Sequence, residues 1–388
     1  RVLFRSGLVP TGKVTPLGAV ELPMSRFTRA TALNLEVRLE GTRFVNDWNF
    51  WVYPATADVS VPEGVTVTSI LDEQALATLE AGGRVVMLAD PGTVRGSTTG
   101  RFDPIFWNRL WFPSQPQHTL GLLLNPKHPA LAGFPTAFHA DWQWQDLQNR
   151  SQPIQMDNLP RELRPVVQVI DDWNTCRKLG LVIEARVGNG RILIGAFDLT
   201  RDLETRPAAR QLRRSLLDYA ASSRFRPKAR LEVDQLRSLF REPGLIQKLG
   251  ARVIRADSAM PGHEAAQILD GNPQTLWHTA WGDGAPDFPH EVVIAFDHPA
   301  TLEGLALLPR ADGQNGWIRD YAVYLSLDDE QWGEAVAQGR LAQNAAGKEI
   351  RFEKPATGKY LKFVARSSFD ARQPYASLAE LDLIAPAR

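Results

Sequence analysis

The sequence predicts a multidomain chain: the closing strands of a β-sandwich, then an α/β unit, then a third unit organised around a binding loop. Three observations predict it. Residues 13 to 53 alternate apolar and polar in strand fashion, as in Leu33-Asn34-Leu35-Glu36-Val37-Arg38-Leu39. After residue 57 the pattern becomes β-α-β, which implies a parallel sheet. Asp270-Gly271-Asn272-Pro273-Gln274-Thr275-Leu276-Trp277-His278-Thr279-Ala280-Trp281 then packs oxygen donors, a tight turn and two indoles into twelve residues. A length of 388 residues leaves room for two or three cores.

The first hexapeptide, Arg1-Val2-Leu3-Phe4-Arg5-Ser6, reads as translated sequencing adapter and is set aside. The chain is expected to be the C-terminal part of a longer protein. Residues 7–54 then hold the strands of a truncated β-sandwich, ending in Asp47-Trp48-Asn49-Phe50-Trp51-Val52-Tyr53 before Pro54. Within residues 55–223, a strand at 65–70 leads to a helix at 72–81, closed by Gly82-Gly83, and a buried strand at 84–89. Further strands are expected at 166–170, 179–187 and 191–197, the last two joined as a hairpin by Gly188-Asn189-Gly190. A helix at 207–221 begins on Pro207, which the first turn tolerates. The basic, Pro-containing stretch from Arg224 opens an expected linker, 224–235, to a third unit at 236–388.

Forty-four basic residues balance forty-four acidic ones, which argues against a nucleic-acid or polyanion partner. The single cysteine, Cys176, leaves no intrachain disulfide framework and no cysteine zinc cluster. No signal peptide and no transmembrane run of apolar residues is present in this stretch.

The middle unit offers little chemistry. A cysteine nucleophile needs a tight strand-to-helix elbow flanked by small residues with a histidine in reach. Cys176 instead sits among Trp173, Asn174, Thr175, Arg177 and Lys178, so a buried or structural role is expected. No Gly-x-Ser-x-Gly occurs. His139, Asp141 and Asp146 lie among indoles in a cluster read as loop capping and core packing, with a hydrolase using His139 and Asp141 or Asp146 as the alternative. Asp171 and Asp172, adjacent in strand-like sequence, should point to opposite faces.

The loop at Asp270 is where chemistry concentrates. Asp270, Asn272 and Thr275 at i, i+2 and i+5 around Gly and Pro are hard oxygen donors of the kind that suits Ca²⁺, with an Asx-turn as the alternative. A pyranose presents an apolar C–H face and vicinal hydroxyls, and His278 and Trp281 just downstream suit such a ligand. The stretch 269–281 resembles the signature loop of F5/8 type C (discoidin-like) domains, the group that includes family 32 carbohydrate-binding modules. Leu308-Pro309-Arg310, Asn315-Gly316-Trp317-Ile318-Arg319-Asp320-Tyr321, Tyr324-Leu325-Ser326 and Tyr375-Ala376-Ser377-Leu378-Ala379-Glu380-Leu381 match later motifs of that family in order.

The resemblance implies an eight-stranded discoidin-like β-sandwich (jelly roll) with a structural Ca²⁺ held by the side chains of Asp270, Asn272 and Glu380, by Thr275, and by backbone carbonyls near Ala266 and Ala379. It also implies a sugar site made by His278, Trp281, Arg310 and Tyr375, with Glu264 and Asn315 as further polar candidates. Trp281 or Tyr375 would supply an aromatic platform, and Arg310 two parallel hydrogen bonds. Trp277 is expected in the core, and His278 could instead satisfy a backbone carbonyl.

The middle unit resembles the flavodoxin-like, class I glutamine amidotransferase-like domain near the C-terminus of some large family 2 glycoside hydrolases. Residues 46–54, Asn125-Pro126-Lys127-His128-Pro129-Ala130-Leu131, Trp142-Gln143-Trp144 and 203–209 carry that likeness. Together the resemblances imply a non-catalytic C-terminal portion of a secreted or periplasmic bacterial glycoside hydrolase that binds galactose-type glycans, with the catalytic domain upstream. The rival expectation is a protein or phospholipid adhesion module.

Overall fold

Alternation in the first strands yields an antiparallel hairpin of Thr31–Arg38 and Val45–Val52, with Leu33 opposite Phe50 and Leu35 opposite Trp48. The computed structural model describes residues 11–16, 19–96, 98, 100–102, 119–173, 175–241, 244–271, 273, 275–282, 284–370, 372 and 374–386, so the adapter-like hexapeptide and Asn272 lie outside the described residues. Leu35, Val37, Phe44 and Trp48 are exposed. The hairpin is tied to the middle unit at its exit, where Tyr53 stacks on Phe134 at 6.0 Å and donates to Gln143 Oε1 at 2.7 Å.

The middle unit is a mixed sheet. Val65–Thr68, Arg84–Leu88 and Gly190–Gly195 run parallel, and the helix Glu73–Glu80 connects the first two. Asp72 starts that helix by accepting the Ala75 N–H at 2.7 Å. The other half, Leu179–Val187, Val167–Asp171 and Thr119–Leu124, is antiparallel, so a fully parallel sheet is not what forms. The Gly188-Asn189 turn pairs Val187 directly with Gly190, and a connection that short can join only antiparallel strands. The helix Pro207–Ala221 packs on this sheet through Leu212, Leu216 and Leu217, neighbours on one helical face.

The stretch expected as a linker contributes Phe225, Ala229 and Leu231 to the middle core. Arg230–Leu231 adds a parallel strand beside Leu179–Val187. The helix Val233–Arg237 follows, closed by a reciprocal capping box between Glu232 and Gln235, and Leu236, Leu239 and Phe240 are buried in the same core. Phe240 bridges to Val94, and Arg241 donates its backbone N–H to the Thr93 carbonyl at 2.7 Å.

The third unit contains eight strands among the described residues: Arg252–Ala256, Trp277–His278, His290–Leu308, Ile318–Ser326, Ala337–Arg340, Lys348–Ser368, Ser377–Leu378 and Glu380–Ile384. The two longest pair along most of their length, with register shifts after Ala295 and Leu302. Trp277–His278 and Ser377–Leu378 form a separate short ladder. Between them lies a core of Val292, Ile294, Phe296, Leu305, Leu361, Phe363 and fully buried Trp277. The short ladder brings the loops carrying His278, Arg310 and Tyr375 to one end.

Candidate binding site

Backbone bonds fix the short ladder first. His278 donates its N–H to the His263 carbonyl at 3.2 Å and accepts the Met260 N–H at 2.8 Å. Thr279 N–H reaches the Ala376 carbonyl at 3.0 Å, and Thr279 Oγ1 accepts the Ala376 N–H at 3.0 Å. Gly316 has φ +78°, and a Cβ there would lie 2.9 Å from Ser377 N, so glycine is required where that loop crosses the ladder.

Four rings gather on this frame. His278 meets Trp281 edge-on at 4.9 Å and Tyr375 at 5.7 Å, while His263 lies 6.4 Å from His278 and 5.9 Å from Trp281. His278 Nδ1 sits 2.7 Å from the Thr279 carbonyl. A carbonyl cannot donate, so Nδ1 carries the proton and Nε2 presents a lone pair. That Nε2 is buried with no partner, as is His263 Nδ1. Burial first, then the Arg310 cation and His263, hold the His278 pKa below its ordinary value. His278 therefore satisfies a backbone carbonyl, the alternative expected for it, and its Nε2 is left as an unpartnered acceptor. Trp281 remains 42% exposed and is the accessible face of the group.

Arg310 is held by a fork from Asp312, with Nε 2.7 Å from Oδ1 and Nη2 2.8 Å from Oδ2. Its Nη1 makes a long contact, 3.5 Å, with the Asn315 carbonyl. The guanidinium has two parallel-donor edges; Asp312 uses one, and the Nη1/Nη2 edge carries only the long Asn315 contact. Asn315 contributes through its carbonyl, which also accepts from Ser377 Oγ at 2.8 Å, and the residue itself is exposed. Glu264 folds back on its own turn, accepting Gly262 N–H at 2.8 Å and Gln267 Nε2 at 3.2 Å. His263 and Asp312 belong to this group and were not singled out from the sequence. The Arg310-x-Asp312 spacing was the one readable clue.

The cation candidates Asp270 and Thr275 follow the turn Ala265–Leu269, and Glu380 meets them from the last strand. Thr275 Oγ1 donates to Asp270 Oδ2 at 2.8 Å, and Glu380 Oε2 accepts the Gly271 N–H at 3.3 Å. Glu380 Oε1 is buried without a partner. Burial and the neighbouring Asp270 carboxylate push the Glu380 pKa well above the carboxylate range. Two carboxylates this close, one with an orphaned oxygen, form a donor set that a hard divalent cation fits. Ala379 is buried just before Glu380, while Ala266 is exposed in the turn Ala265–Leu269. No group of three or more His, Cys, Asp or Glu residues suited to a metal occurs among the described residues; the Asp270 set has only two such side chains.

In the middle unit, Cys176 is exposed, contrary to the buried role expected of it. It takes a left-handed φ of +50° at the end of a turn in which its N–H bonds the Asp172 carbonyl at 3.1 Å. Asp171 and Asp172 do not point apart: both accept from Thr175 Oγ1, at 3.0 and 2.6 Å. The strand ends at Asp171, so alternation does not govern Asp172. Asp141 caps the turn Trp142–Trp144 and Asp146 is held by Arg206 Nε at 2.8 Å.

Residues 253–381 match the sequence profile of the F5/8 type C domain. That stretch is an F5/8 type C domain. Residues 66–241 match a domain of unknown function, DUF8487, and residues 3–54 another, DUF8488. Galactose oxidase of Gibberella zeae is 40% identical over 133 residues, covering 34% of this chain and 19% of that protein. A sialidase of Micromonospora viridifaciens is 32% identical over 145 residues, covering 36% of this chain and 22% of that protein. The chain thus spans less than a quarter of either relative's length. Among solved structures, the family 32 module of Clostridium perfringens NanJ in complex with galactose is 26% identical with TM-score 0.30, covering 34% of this chain and 98% of its own. A second module, CBM32-3 of a family 31 glycoside hydrolase from Clostridium perfringens, is 29% identical with TM-score 0.33, covering 35% of this chain and 91% of its own. No helix among the described residues is long and apolar enough to cross a membrane.

Proposed function

We propose that the F5/8 type C domain binds a galactose-type sugar at the His278, Trp281, Arg310 and Tyr375 group. The observation that carries this reading is the Arg310 guanidinium, oriented by Asp312 and held at Nη1 only by the long Asn315 contact, together with an exposed indole and an unpartnered imidazole acceptor. The forked edge suits vicinal hydroxyls and the indole suits a C–H face. The galactose oxidase and sialidase relatives favour a sugar ligand.

Structural Ca²⁺ is part of the proposal. Asp270, Thr275 and Glu380 would hold it, and it would supply the charge that lets both carboxylates ionise without repulsion. Asn272, in this reading a further ligand, lies outside the described residues. The middle unit is read as a flavodoxin-like, glutamine amidotransferase-like domain without a nucleophile of its own, within a secreted family 2 glycoside hydrolase whose catalytic domain lies elsewhere in the parent protein. The parallel trio of strands with its β-α-β connection supports the first part of that reading. A weak sugar module fused to such an enzyme raises local substrate concentration even at millimolar affinity.

The test is calorimetric titration of the full chain with galactose, N-acetylgalactosamine and short β-galactosides in Ca²⁺, beside Arg310→Ala. Saturable binding lost in the variant is expected. Absence of heat with every sugar, in a chain that Ca²⁺ still stabilises, would discard the sugar reading in favour of adhesion.

A further inference from the structure

His290 opens the long strand of the F5/8 type C domain and its side chain is fully buried. Its Nδ1 lies 2.7 Å from Asp257 Oδ2, and its Nε2 lies 2.7 Å from the Pro374 carbonyl oxygen. A carbonyl only accepts, so Nε2 must carry a hydrogen. A neutral imidazole would then turn a bare Nδ1 lone pair toward a carboxylate at hydrogen-bond distance. The His290–Asp257 pair therefore retains a second proton between Nδ1 and Oδ2, and the assembly is an imidazolium facing a carboxylate.

The surroundings hold that charge in place. Asp257 Oδ1 is occupied by the Glu291 N–H at 2.7 Å. Asp287 adds negative charge from the preceding loop, and the Phe288 ring lies 4.9 Å away. Arg255 and Lys362 on the adjacent strands are engaged with Glu291 at 3.7 and 3.9 Å. Across the sheet the partner of His290 is Ala365, which carries no charge. Burial alone would lower the His290 pKa, but the bonds to Asp257 and Pro374 and the charges of Asp257 and Asp287 raise it above its ordinary value.

Pro374 is followed by Tyr375, one wall of the site, and by Ala376, which exchanges hydrogen bonds with Thr279. Thr279 in turn accepts from His278 Nδ1. We propose that protonated His290 is a positioning residue of the sugar site: it pins the 374–376 loop and so sets Tyr375 against His278, and ligand affinity falls when it loses its proton. This rests on the sugar reading above. Deprotonation leaves either the Pro374 carbonyl or the Asp257 carboxylate facing a lone pair, and the loop relaxes away.

The experiment uses the full chain with ¹⁵N-labelled histidine and ring-labelled tyrosine. The His290 signals, assigned by their loss in His290→Gln, are expected to show both ring nitrogens protonated at pH 7; a neutral tautomer there overturns the proposal. Galactose affinity by calorimetry should then weaken roughly tenfold as pH rises through the His290 titration, and affinity unchanged across that titration overturns it. Asp257→Asn keeps an acceptor for Nδ1 but removes the charge, so it should shift the midpoint to lower pH; an unmoved midpoint counts against the mechanism. If galactose does not bind at any pH, the sugar reading has failed. The positioning claim is then decided by the Tyr375 ring resonance: movement with the His290 titration sustains it, and a fixed resonance refutes it.

Discussion

Gly92 and Gly271 cross backbone to backbone where the middle unit meets the F5/8 type C domain. A Cβ added to Gly92 would lie 1.7 Å from the Asp270 carbonyl oxygen and 3.0 Å from Gly271 Cα, and one added to Gly271 would lie 3.1 Å from Gly92 Cα. Gly92 has no room for any other residue, and at Gly271 the approach is tight and the φ of +70° also favours glycine. The cation loop is therefore seated directly on the turn Pro91–Thr93 of its neighbour. Arg201, paired with Asp90 of that turn, also feels the Asp270 charge.

Gly92→Ala cannot be absorbed by side-chain motion, because the atoms in the way are backbone. We expect a loss of about 1 to 3 kcal/mol and separation of the two units' thermal transitions in calorimetry. A single transition at the wild-type temperature would show that the crossing is not formed in solution.

Asp171 and Arg177 make a second stabilising relationship, with Nε 2.8 Å from Oδ2 and Nη2 2.9 Å from Oδ1. The carboxylate side chain is only 2% exposed. Arg177→Ala leaves it buried and unpaired, at a cost of about 3 kcal/mol in denaturant unfolding. Burial alone would raise the Asp171 pKa, but Arg177 and Thr175 hold it below the ordinary value. Because the folded pKa is depressed, this stabilisation is complete above the unfolded carboxylate value and disappears as pH falls through the folded one. Wild type should therefore lose stability relative to Arg177→Ala only on the acid side.

Removing Ca²⁺ should lower the unfolding temperature of the F5/8 type C domain. At a free concentration one hundred times the dissociation constant, the stabilisation is about 2.7 kcal/mol. Glu380→Gln should abolish the difference between Ca²⁺ and chelator in differential scanning fluorimetry. A shift of equal size in the variant would place the ion elsewhere.

Arg310→Lys retains the charge but not the fork, so sugar affinity should drop by about tenfold or more, with little change in folding. Asp312→Asn should weaken binding less, since it loosens the guanidinium without removing it. Equal losses in calorimetric titration would mean that Asp312 itself touches the ligand.

Local periodicity made much of the middle unit readable before any coordinates. The helix Pro207–Ala221 and the Gly188-Asn189 hairpin follow from short-range sequence, as does the Asp72 cap. The antiparallel strand Thr119–Leu124 was not anticipated, because pairing with Val167–Asp171 across more than forty residues leaves no local mark. The candidate linker looked basic and Pro-containing, yet its apolar residues Phe225, Ala229 and Leu231 are the ones that dock. In the site, His278 and Trp281 were legible from spacing. His263 enters only through backbone bonds to a strand fifteen residues away, and the folding back of Glu264 depends on the turn at Gly262.

The docked segment ending in Phe240 and Arg241 has a consequence for how such a module works. Arg241 reaches the Gly271 carbonyl at 3.4 Å and the Gly96 carbonyl at 3.1 Å, joining both units through one guanidinium. A module on a loose tether samples a sphere, and its benefit is set by linker length. Here the face carrying His278, Trp281 and Arg310 has a fixed bearing relative to the middle unit, so any ligand held there would be met from one direction.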